Sequence, residues 1–132
     1  MAILVLFLCL LLASCGGGGS STPTGPAGPT TPVNPNTFTI TSIGVNPKAV
    51  TVAPGTRVLF VNTDSRPHDM TSDPHPEHDL CIEINSVGLL NPGVSRPTLN
   101  LVAVRTCGFH DHNNPPPTTQ TGNIWTGRII IQ

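Results

Sequence analysis

The residues of this chain best suited to chemistry are its five histidines, which fall in two short segments. The first group is His68, His75 and His78, and the second group is His110 and His112. Six of the seven acidic residues surround the first group and the seventh lies inside the second: Asp64, Asp69, Asp73, Glu77, Asp79, Glu83 and Asp111. Because imidazole nitrogen binds zinc and copper well, this clustering predicts a metal site.

His110 and His112 lie two residues apart, after an apolar stretch of the chain. In an extended strand, positions i and i+2 point to the same face, so both rings would converge on one ion. Cys107 precedes His110 at Cys-x-x-His spacing and would add a thiolate to the same site. We therefore expect His110 and His112 to be ligands; the alternative is a pair of solvated loop histidines.

The three histidines of the first group have different surroundings. His68 ends a polar loop that follows the apolar run at residues 58–61, and we expect this strand-to-loop position to present it as a metal ligand. His75 and His78 lie in a loop rich in proline and acidic residues. They are candidates for capture or outer-sphere roles, and an exposed polar loop is the alternative interpretation.

The first third of the chain has the composition of an export signal and a tether. Residues 1–14 include an apolar run too short to span a bilayer, which is typical of a lipoprotein signal peptide. The Leu-Ala-Ser-Cys segment that ends at Cys15 resembles the bacterial lipobox, and this resemblance implies that Cys15 is lipidated. Residues 15–36 are dominated by Gly, Ser, Thr, Pro and Asn without charge, so we expect a flexible linker there.

Cys81 and Cys107 are the two cysteines that follow the expected lipidation site. An even pair in an oxidising compartment often indicates a disulfide. A bridge between them would close a loop of about 26 residues and stabilise the domain by roughly 3–4 kcal/mol in the chain-entropy model. It would also remove the Cys107 thiolate from any metal, so the sequence leaves a thiolate ligand and a disulfide cysteine as open alternatives.

The remaining residues, 37–132, predict one small all-β domain. The chain has 13 glycines and 15 prolines, a composition that favours strands and turns. Its formal net charge is −1 and it has no tyrosine, so nothing in the composition indicates a nucleic-acid surface. Pro-Gly pairs at 54–55 and 92–93 predict turns, and Gly44 a bulge. We expect the run at 58–61 to be a central strand buried on both faces, and Cys81 to Val87 to hold at most one short turn of helix. Strands are predicted at residues 38–41, 50–52, 58–61, 89–90, 99–104 and 129–131.

Two segments of this domain resemble the cupredoxins, the family of plastocyanin and azurin. Residues 60–68 read FVNTDSRPH, a buried strand that passes through Asn-x-Asp to a histidine, and residues 107–112 read CGFHDH, just before the last strand. The resemblance covers residues 37–132 and implies a cupredoxin-like Greek-key β-sandwich of about 7–8 strands. It implies a mononuclear copper site with His68, Cys107 and His110 as equatorial ligands, a donor set that serves electron transfer.

The chain departs from that family after the second histidine. The axial methionine expected there is replaced by residues 111–115, which read DHNNP, and His112 is the candidate to take its place. The His-Pro-x-His segment at 75–78 and the His-x-His segment at 110–112 also resemble a second branch of cupredoxin-like proteins. In that branch the metal is expected to be held mainly by histidines, which zinc would also accept.

These resemblances predict a copper-binding lipoprotein of a bacterial membrane, facing the periplasm or the cell exterior. Its membrane contact would be through the N-terminal lipid only, and it would bind copper (zinc being less favoured) and no nucleic acid. The first hypothesis is one-electron transfer to a redox partner protein, with no enzymatic activity and an electron exit at His110, near Phe109 and residues 115–117. The alternative is a redox-quiet copper storage or delivery protein with a His-only site and a Cys81–Cys107 disulfide. A small copper or zinc enzyme is the third hypothesis.

Overall fold

A computed structural model describes residues 34–114 and 123–132 of the chain. The expected signal peptide at 1–14, the lipidation site Cys15, residues 115–117 and most of the linker at 15–36 lie outside these described residues. Among the residues described, no helix is both long and apolar enough to cross a membrane.

The described residues form nine short β-strands and no helix, as the β-rich composition predicts. Most strands lie at the alternating apolar runs, and turns follow at Pro54-Gly55 and Pro92-Gly93. The strands are β1 (Thr37–Thr41), β2 (Gly44–Asn46), β3 (Ala49–Val52), β4 (Leu59–Asn62), β5 (His68–Ser72), β6 (Gly88–Leu90), β7 (Ser95–Pro97), β8 (Arg105–Asp111) and β9 (Thr126–Ile131).

The strands form two mixed sheets that pack as a sandwich. One sheet has the order β2-β1-β4-β7 and the other β3-β9-β8-β5-β6. The pairs β1–β4 and β3–β9 are parallel, and the remaining neighbours are antiparallel. Strand β8 lies in the middle of the five-stranded sheet, so its side chains are held by neighbours on both sides.

Three phenylalanines join the two sheets. Phe38 and Phe60 come from the first sheet and Phe109 from the second, with ring centroids 4.7–5.1 Å apart. All three are fully buried. Edge-to-face aromatic pairs at this distance add about 0.5–1.5 kcal/mol beyond area burial, so this cluster is a rigid base for the end of β8.

The structure corrects three strand-level predictions. Residues 99–104 are not a strand: the Leu99 amide donates to Glu83 and the Leu101 amide to Thr56, so no continuous ladder forms. Gly44 does not form a bulge but begins β2 after a tight turn, with φ of 121° and the Ile124 carbonyl where a Cβ would lie. Strand β4 alternates buried and half-buried side chains instead of being buried on both faces.

The segment from Cys81 to Val87 is a series of turns with hydrogen bonds between residues three apart, such as the Ile84 amide to the Cys81 carbonyl. Ile84 and Val87 are buried against the core. The segment therefore covers one edge of the sandwich and leads the chain back from the histidine-rich loop to β6.

Candidate metal centre

The candidate site lies on the outer face of the five-stranded sheet, where β5 ends and β8 passes. In the antiparallel pairing of these strands, Thr71 lies opposite His110 and Met70 opposite Asp111. Successive side chains in a strand point to opposite faces. Met70 is fully buried, so its neighbours Thr71 and His110 lie on the outer face, away from the aromatic core.

Residues 73–81, here called the histidine loop, fold back over this outer face. The Asp73 amide donates to the Gly108 carbonyl and the Leu80 amide donates to the Asp73 carbonyl. Where the loop ends, the Cys81 amide donates to the Ser72 side chain at 2.8 Å. These bonds place His75 and His78 beside β8, so the two histidine groups of the sequence meet.

A disulfide between Cys81 and Cys107 fastens the end of the histidine loop to β8. Both cysteines are fully buried. Of the two states of Cys107 that the sequence left open, the structure contains the disulfide, in which the sulfur has no thiolate to offer a metal.

Four histidines converge at this place: His75, His78, His110 and His112. One ring nitrogen from each lies within 4.8 Å of those of the others. His110 is buried, His78 is half-buried, and His75 and His112 are exposed. Two nitrogens that share one ion at about 2.0–2.1 Å are at most about 4 Å apart, so small side-chain rotations bring the four rings into coordinating range.

Hydrogen bonds orient three of the four rings. His78 Nδ1 lies 2.8 Å from the Ser72 carbonyl, which accepts only, so Nδ1 donates and Nε2 carries the lone pair. His110 Nδ1 lies 2.7 Å from an Asp73 carboxylate oxygen, so its Nε2 is likewise free. His112 Nδ1 lies 3.0 Å from His78 Nε2, so it donates to the nitrogen on which His78 carries its lone pair. Ring nitrogens of the cluster therefore face one another, and a metal ion would replace the proton shared by His112 and His78.

The backbone of His78 adopts a left-handed conformation with φ of 55°. Such a conformation costs a non-glycine residue of the order of 1 kcal/mol and persists where surrounding contacts enforce it. Here the Asn85 side chain donates to the His78 carbonyl at 2.8 Å, and the ring donates to Ser72. The strained residue is thus one of the four that form the cluster.

Electrostatics favour neutral imidazole at His75. Desolvation lowers the pKa of His75, and the charges of His110, His78 and His112 lower it further, whereas Glu77 raises it. A neutral ring is the form that binds a metal ion. Desolvation and the neighbouring histidines thus both favour the neutral form of this ring.

His68 lies elsewhere, on the core side of the same sheet, and both of its ring nitrogens are engaged. Nδ1 is 2.8 Å from Asp111 Oδ2, and Nε2 is 3.1 Å from Asp64 Oδ2. Both ring nitrogens are thus already held by carboxylate oxygens, and neither is open to a metal. The ring also packs on Trp125, with centroids 5.4 Å apart.

Asp64 completes this buried group. Desolvation by itself raises the pKa of Asp64, but hydrogen bonds from His68, from Arg66 and from the Ser65 amide outweigh it and lower the pKa to about 2. Arg66 donates to the same carboxylate at 2.9 Å and lies over the Trp125 ring. The acidic residue therefore serves as a structural anchor and not as a solvated loop residue.

The structure consequently divides the residues that the sequence named as metal ligands. His110 and His112 come together with His75 and His78, which had been expected in capture or outer-sphere roles. His68 and Cys107 are not in the cluster. Because β8 stays extended through Asp111, Cys107 and His110 are three residues apart and point to opposite faces, and the register places His68 on the Cys107 side.

The electron exit that the sequence suggested at His110 and Phe109 also has a different environment. Both side chains are fully buried, and Phe109 belongs to the aromatic core. Residues 115–117 lie outside the described part of the chain. Among the described residues of the cluster, His75 and His112 are the ones that face solvent.

Two functional carboxylates were missed by the sequence analysis, Asp73 and Asp111. Asp73 binds His110, and Asp111 accepts from His68, the Asp69 amide and the Asn114 side chain. The position of Asp111 between His110 and His112 was the available signal, because alternation in an extended segment turns it to the face opposite theirs. Nothing in the sequence distinguished Asp73 from the other acidic residues of its segment.

No protein-family model matches this chain, and no curated protein does. Among solved structures it is similar to amicyanin from Paracoccus versutus, with a TM-score of 0.56 and 12% identity over 78% of this chain and 86% of that one. A purple cupredoxin from Nitrosopumilus maritimus matches at a TM-score of 0.51 and 13% identity, over 73% and 98% of the two chains. Plastocyanin from Dryopteris crassirhizoma matches at 0.50 and 16%, over 73% and 99%.

These similarities establish the fold: the described domain is a cupredoxin-like β-sandwich, as the motif resemblance predicted. At such low identity the fold does not carry the function with it. The function has to be argued from the four-histidine cluster and its surroundings.

Proposed function

We propose that this protein binds a copper ion through His75, His78, His110 and His112, as a redox-quiet binder for storage, delivery or protection. The observation that supports this most is the convergence of four imidazoles, each with a ring nitrogen within 4.8 Å of those of the others. Imidazole suits both copper and zinc, and at a given nitrogen site copper(II) binds more tightly than zinc. Zinc is therefore the competing ion.

The disulfide supports a His-only site over a copper–thiolate site. Cys107 is bonded to Cys81, and His68 is held between two carboxylates. A site built from His68, Cys107 and His110 would require reduction of the disulfide and rotation of residues that now point to opposite faces of β8. The four-histidine site requires neither.

Electron transfer is the second candidate function, supported by the fold. The similar structures include plastocyanin in its oxidised form and amicyanin in its reduced state. A copper ion at a four-histidine site would carry one electron only if a partner reached the exposed side formed by His75 and His112. A small copper or zinc enzyme remains the third hypothesis.

We also propose that the domain acts outside the cytoplasm as a lipoprotein anchored through Cys15. The buried disulfide is consistent with this, because such bonds form and persist in oxidising compartments. Labelling of growing cells with a palmitate analogue, with Cys15→Ala as the control, tests the anchor independently of metal binding.

The metal proposal is tested by loading the purified protein with Cu(II) and recording its visible absorption and electron paramagnetic resonance spectra, with thiols counted in the apo form. We expect a weakly coloured copper protein with one ion per chain and no free Cys81 or Cys107 thiol. The double variant His78→Ala, His112→Ala should lose binding. The double variant Glu77→Gln, Asp79→Asn, on the same loop, should retain it.

An intense thiolate-to-copper band together with free thiols would overturn the His-only site and favour the electron carrier. Retention of stoichiometric copper by the two-histidine variant would show that the metal binds elsewhere. A preference for Zn(II) over Cu(II) in direct competition would reassign the ion while leaving the site.

A further inference from the structure

Asp73 touches the proposed site without belonging to its ligand set. Its Oδ1 lies 2.7 Å from His110 Nδ1, the shortest contact that any of the four rings makes with a hydrogen-bond partner. The His110 side chain is fully buried and that of Asp73 is only 15% exposed. A carboxylate therefore holds the one buried ring of the cluster at its Nδ1 atom.

The position of Asp73 is enforced by the backbone around it. The Asp73 amide donates to the Gly108 carbonyl, and its carbonyl accepts from the Leu80 amide. A Cβ on Gly108 would clash with Asp73 Oδ2, so the carboxylate occupies the space that this glycine leaves open. The fold thus holds the negative charge in one place before any ion binds.

A carboxylate that accepts from the far nitrogen of a ligating histidine fixes its tautomer and raises the basicity of the ligating nitrogen. Its charge also stabilises a doubly charged ion more than a singly charged one, because the Coulomb energy scales with the product of the charges. The four imidazoles supply no charge of their own when neutral. Asp73 would then supply a negative charge that is connected to the ion through one ligand, His110.

We infer that Asp73 is a positioning residue that makes the four-histidine site selective for divalent over monovalent ions, Cu(II) over Cu(I), by holding His110 Nδ1. This inference rests on the proposed metal site and specifies the ligand of that site. It separates Asp73 from the other carboxylates of the histidine loop, Glu77 and Asp79, which make no described hydrogen bond to an imidazole.

The test compares wild type with Asp73→Asn, which retains an oxygen that accepts from Nδ1 but removes the charge. Affinities for Cu(II) and Cu(I) are measured separately by competition with chromophoric chelators. Loss of an outer-sphere partner typically weakens metal binding about 10–100-fold, and we expect this loss for Cu(II) with a change below about threefold for Cu(I). A tenfold change in their ratio raises the reduction potential of the bound copper by about 59 mV.

Asp79→Asn is the matched control, since it removes the same charge from the same loop and should leave the Cu(II)/Cu(I) ratio unchanged. Gly108→Ala is the second variant: it displaces the Asp73 carboxylate without altering any charge or ligand. It should lower the ratio of the Cu(II) affinity to the Cu(I) affinity and change the hyperfine splitting of the Cu(II) signal. This variant decides the question if Asp73→Asn does not fold.

Equal losses of Cu(II) and Cu(I) affinity in both variants would assign Asp73 a merely structural role and overturn the inference. An unchanged ratio in Asp73→Asn would do the same. Wild-type protein that binds neither ion would instead overturn the proposed function itself, and the two failures are therefore distinguishable.

Discussion

His68 and His110 lie on opposite faces of one sheet, and their surroundings give the same side chain two different roles. Both rings are fully buried and both contact a carboxylate. His68 is held at both nitrogens by Asp64 and Asp111. His110 is held firmly at Nδ1 by Asp73, whereas its Nε2 has just a 3.5 Å contact to the Thr71 hydroxyl.

The contrast indicates that a structural histidine differs from a candidate ligand in the number of its ring nitrogens held by acceptors, and not in burial or in the presence of a carboxylate. A ring with two acceptors is a structural cross-link, since it has no lone pair to share. A ring with one acceptor is oriented and remains a ligand.

The largest effect is expected at the cross-link. His68→Ala leaves two buried carboxylates close together without their shared partner, and breaking a buried pair of this kind costs about 3–5 kcal/mol. We expect that loss in the free energy of urea-induced unfolding of the apo protein. The Cu(II) affinity of the folded fraction should change by less than about threefold.

His78→Ala is the reciprocal measurement on the ligand side. Its Cu(II) affinity should fall by more than roughly 100-fold, beyond the usual effect of an outer-sphere residue, while its unfolding free energy changes by less than about 1 kcal/mol. If His68→Ala abolished copper binding in protein that was still folded, the two roles would not be separate.

The next effect is expected at the disulfide that ties the histidine loop to β8. The double variant Cys81→Ser, Cys107→Ser releases a loop with a sequence separation of 26 residues. The chain-entropy model gives a loss of about 3–4 kcal/mol. Thermal unfolding with and without Cu(II) measures it, and copper should recover part of the stability by holding loop and strand together.

Protein lacking the bridge but unchanged in Cu(II) affinity would contradict this view of the loop. It would mean that the hydrogen bonds of Asp73 and Cys81 to their neighbours position His75 and His78 without covalent help.

The smallest effect concerns Asp64, whose contribution to stability is present at neutral pH and is lost in acid. Its folded-state pKa is lowered from 3.8 to about 2, so the unfolded chain binds the proton more readily. The stabilisation is therefore fully present above the unfolded pKa and is lost as the pH falls through the folded value. Unfolding free energies measured between pH 6 and pH 2 should decline more steeply in wild type than in Asp64→Asn.

The matched control for this experiment is Asp79→Asn, which should follow the wild-type curve. Parallel curves for wild type and Asp64→Asn would show that the cross-link on the core side does not depend on this carboxylate.

Much of the fold was predictable from the sequence because β-structure leaves short-range patterns. The alternation at residues 38–41 and the Pro-Gly turns located β1 and two chain reversals. The strand predicted at residues 99–104 was wrong, because an apolar run is also compatible with an irregular segment whose amides form hydrogen bonds to scattered partners. The short strand β7, Ser95–Pro97, is fully exposed and left no hydrophobic pattern.

The site was predictable only in part, for a reason of register. That His110 and His112 share a face followed from their spacing. That His75 and His78 reach the same face depends on how residues 73–81 return across the sheet, which is a long-range contact without a local signal. Whether His68 lies on the near or far face depends on the pairing of Thr71 with His110, and a shift of one residue would reverse it.

The disulfide and the metal ion would act on the same contact, the meeting of the histidine loop with β8. Two events that stabilise one conformation assist each other equally in both directions. If the Cys81–Cys107 bond increases the metal affinity by some factor, bound metal must make that bond more resistant to reduction by the same factor. Every tenfold in this factor lowers the reduction potential of the disulfide by about 30 mV. A loaded protein would be harder to reduce than an empty one, so its cysteine chemistry would report whether the histidines hold an ion.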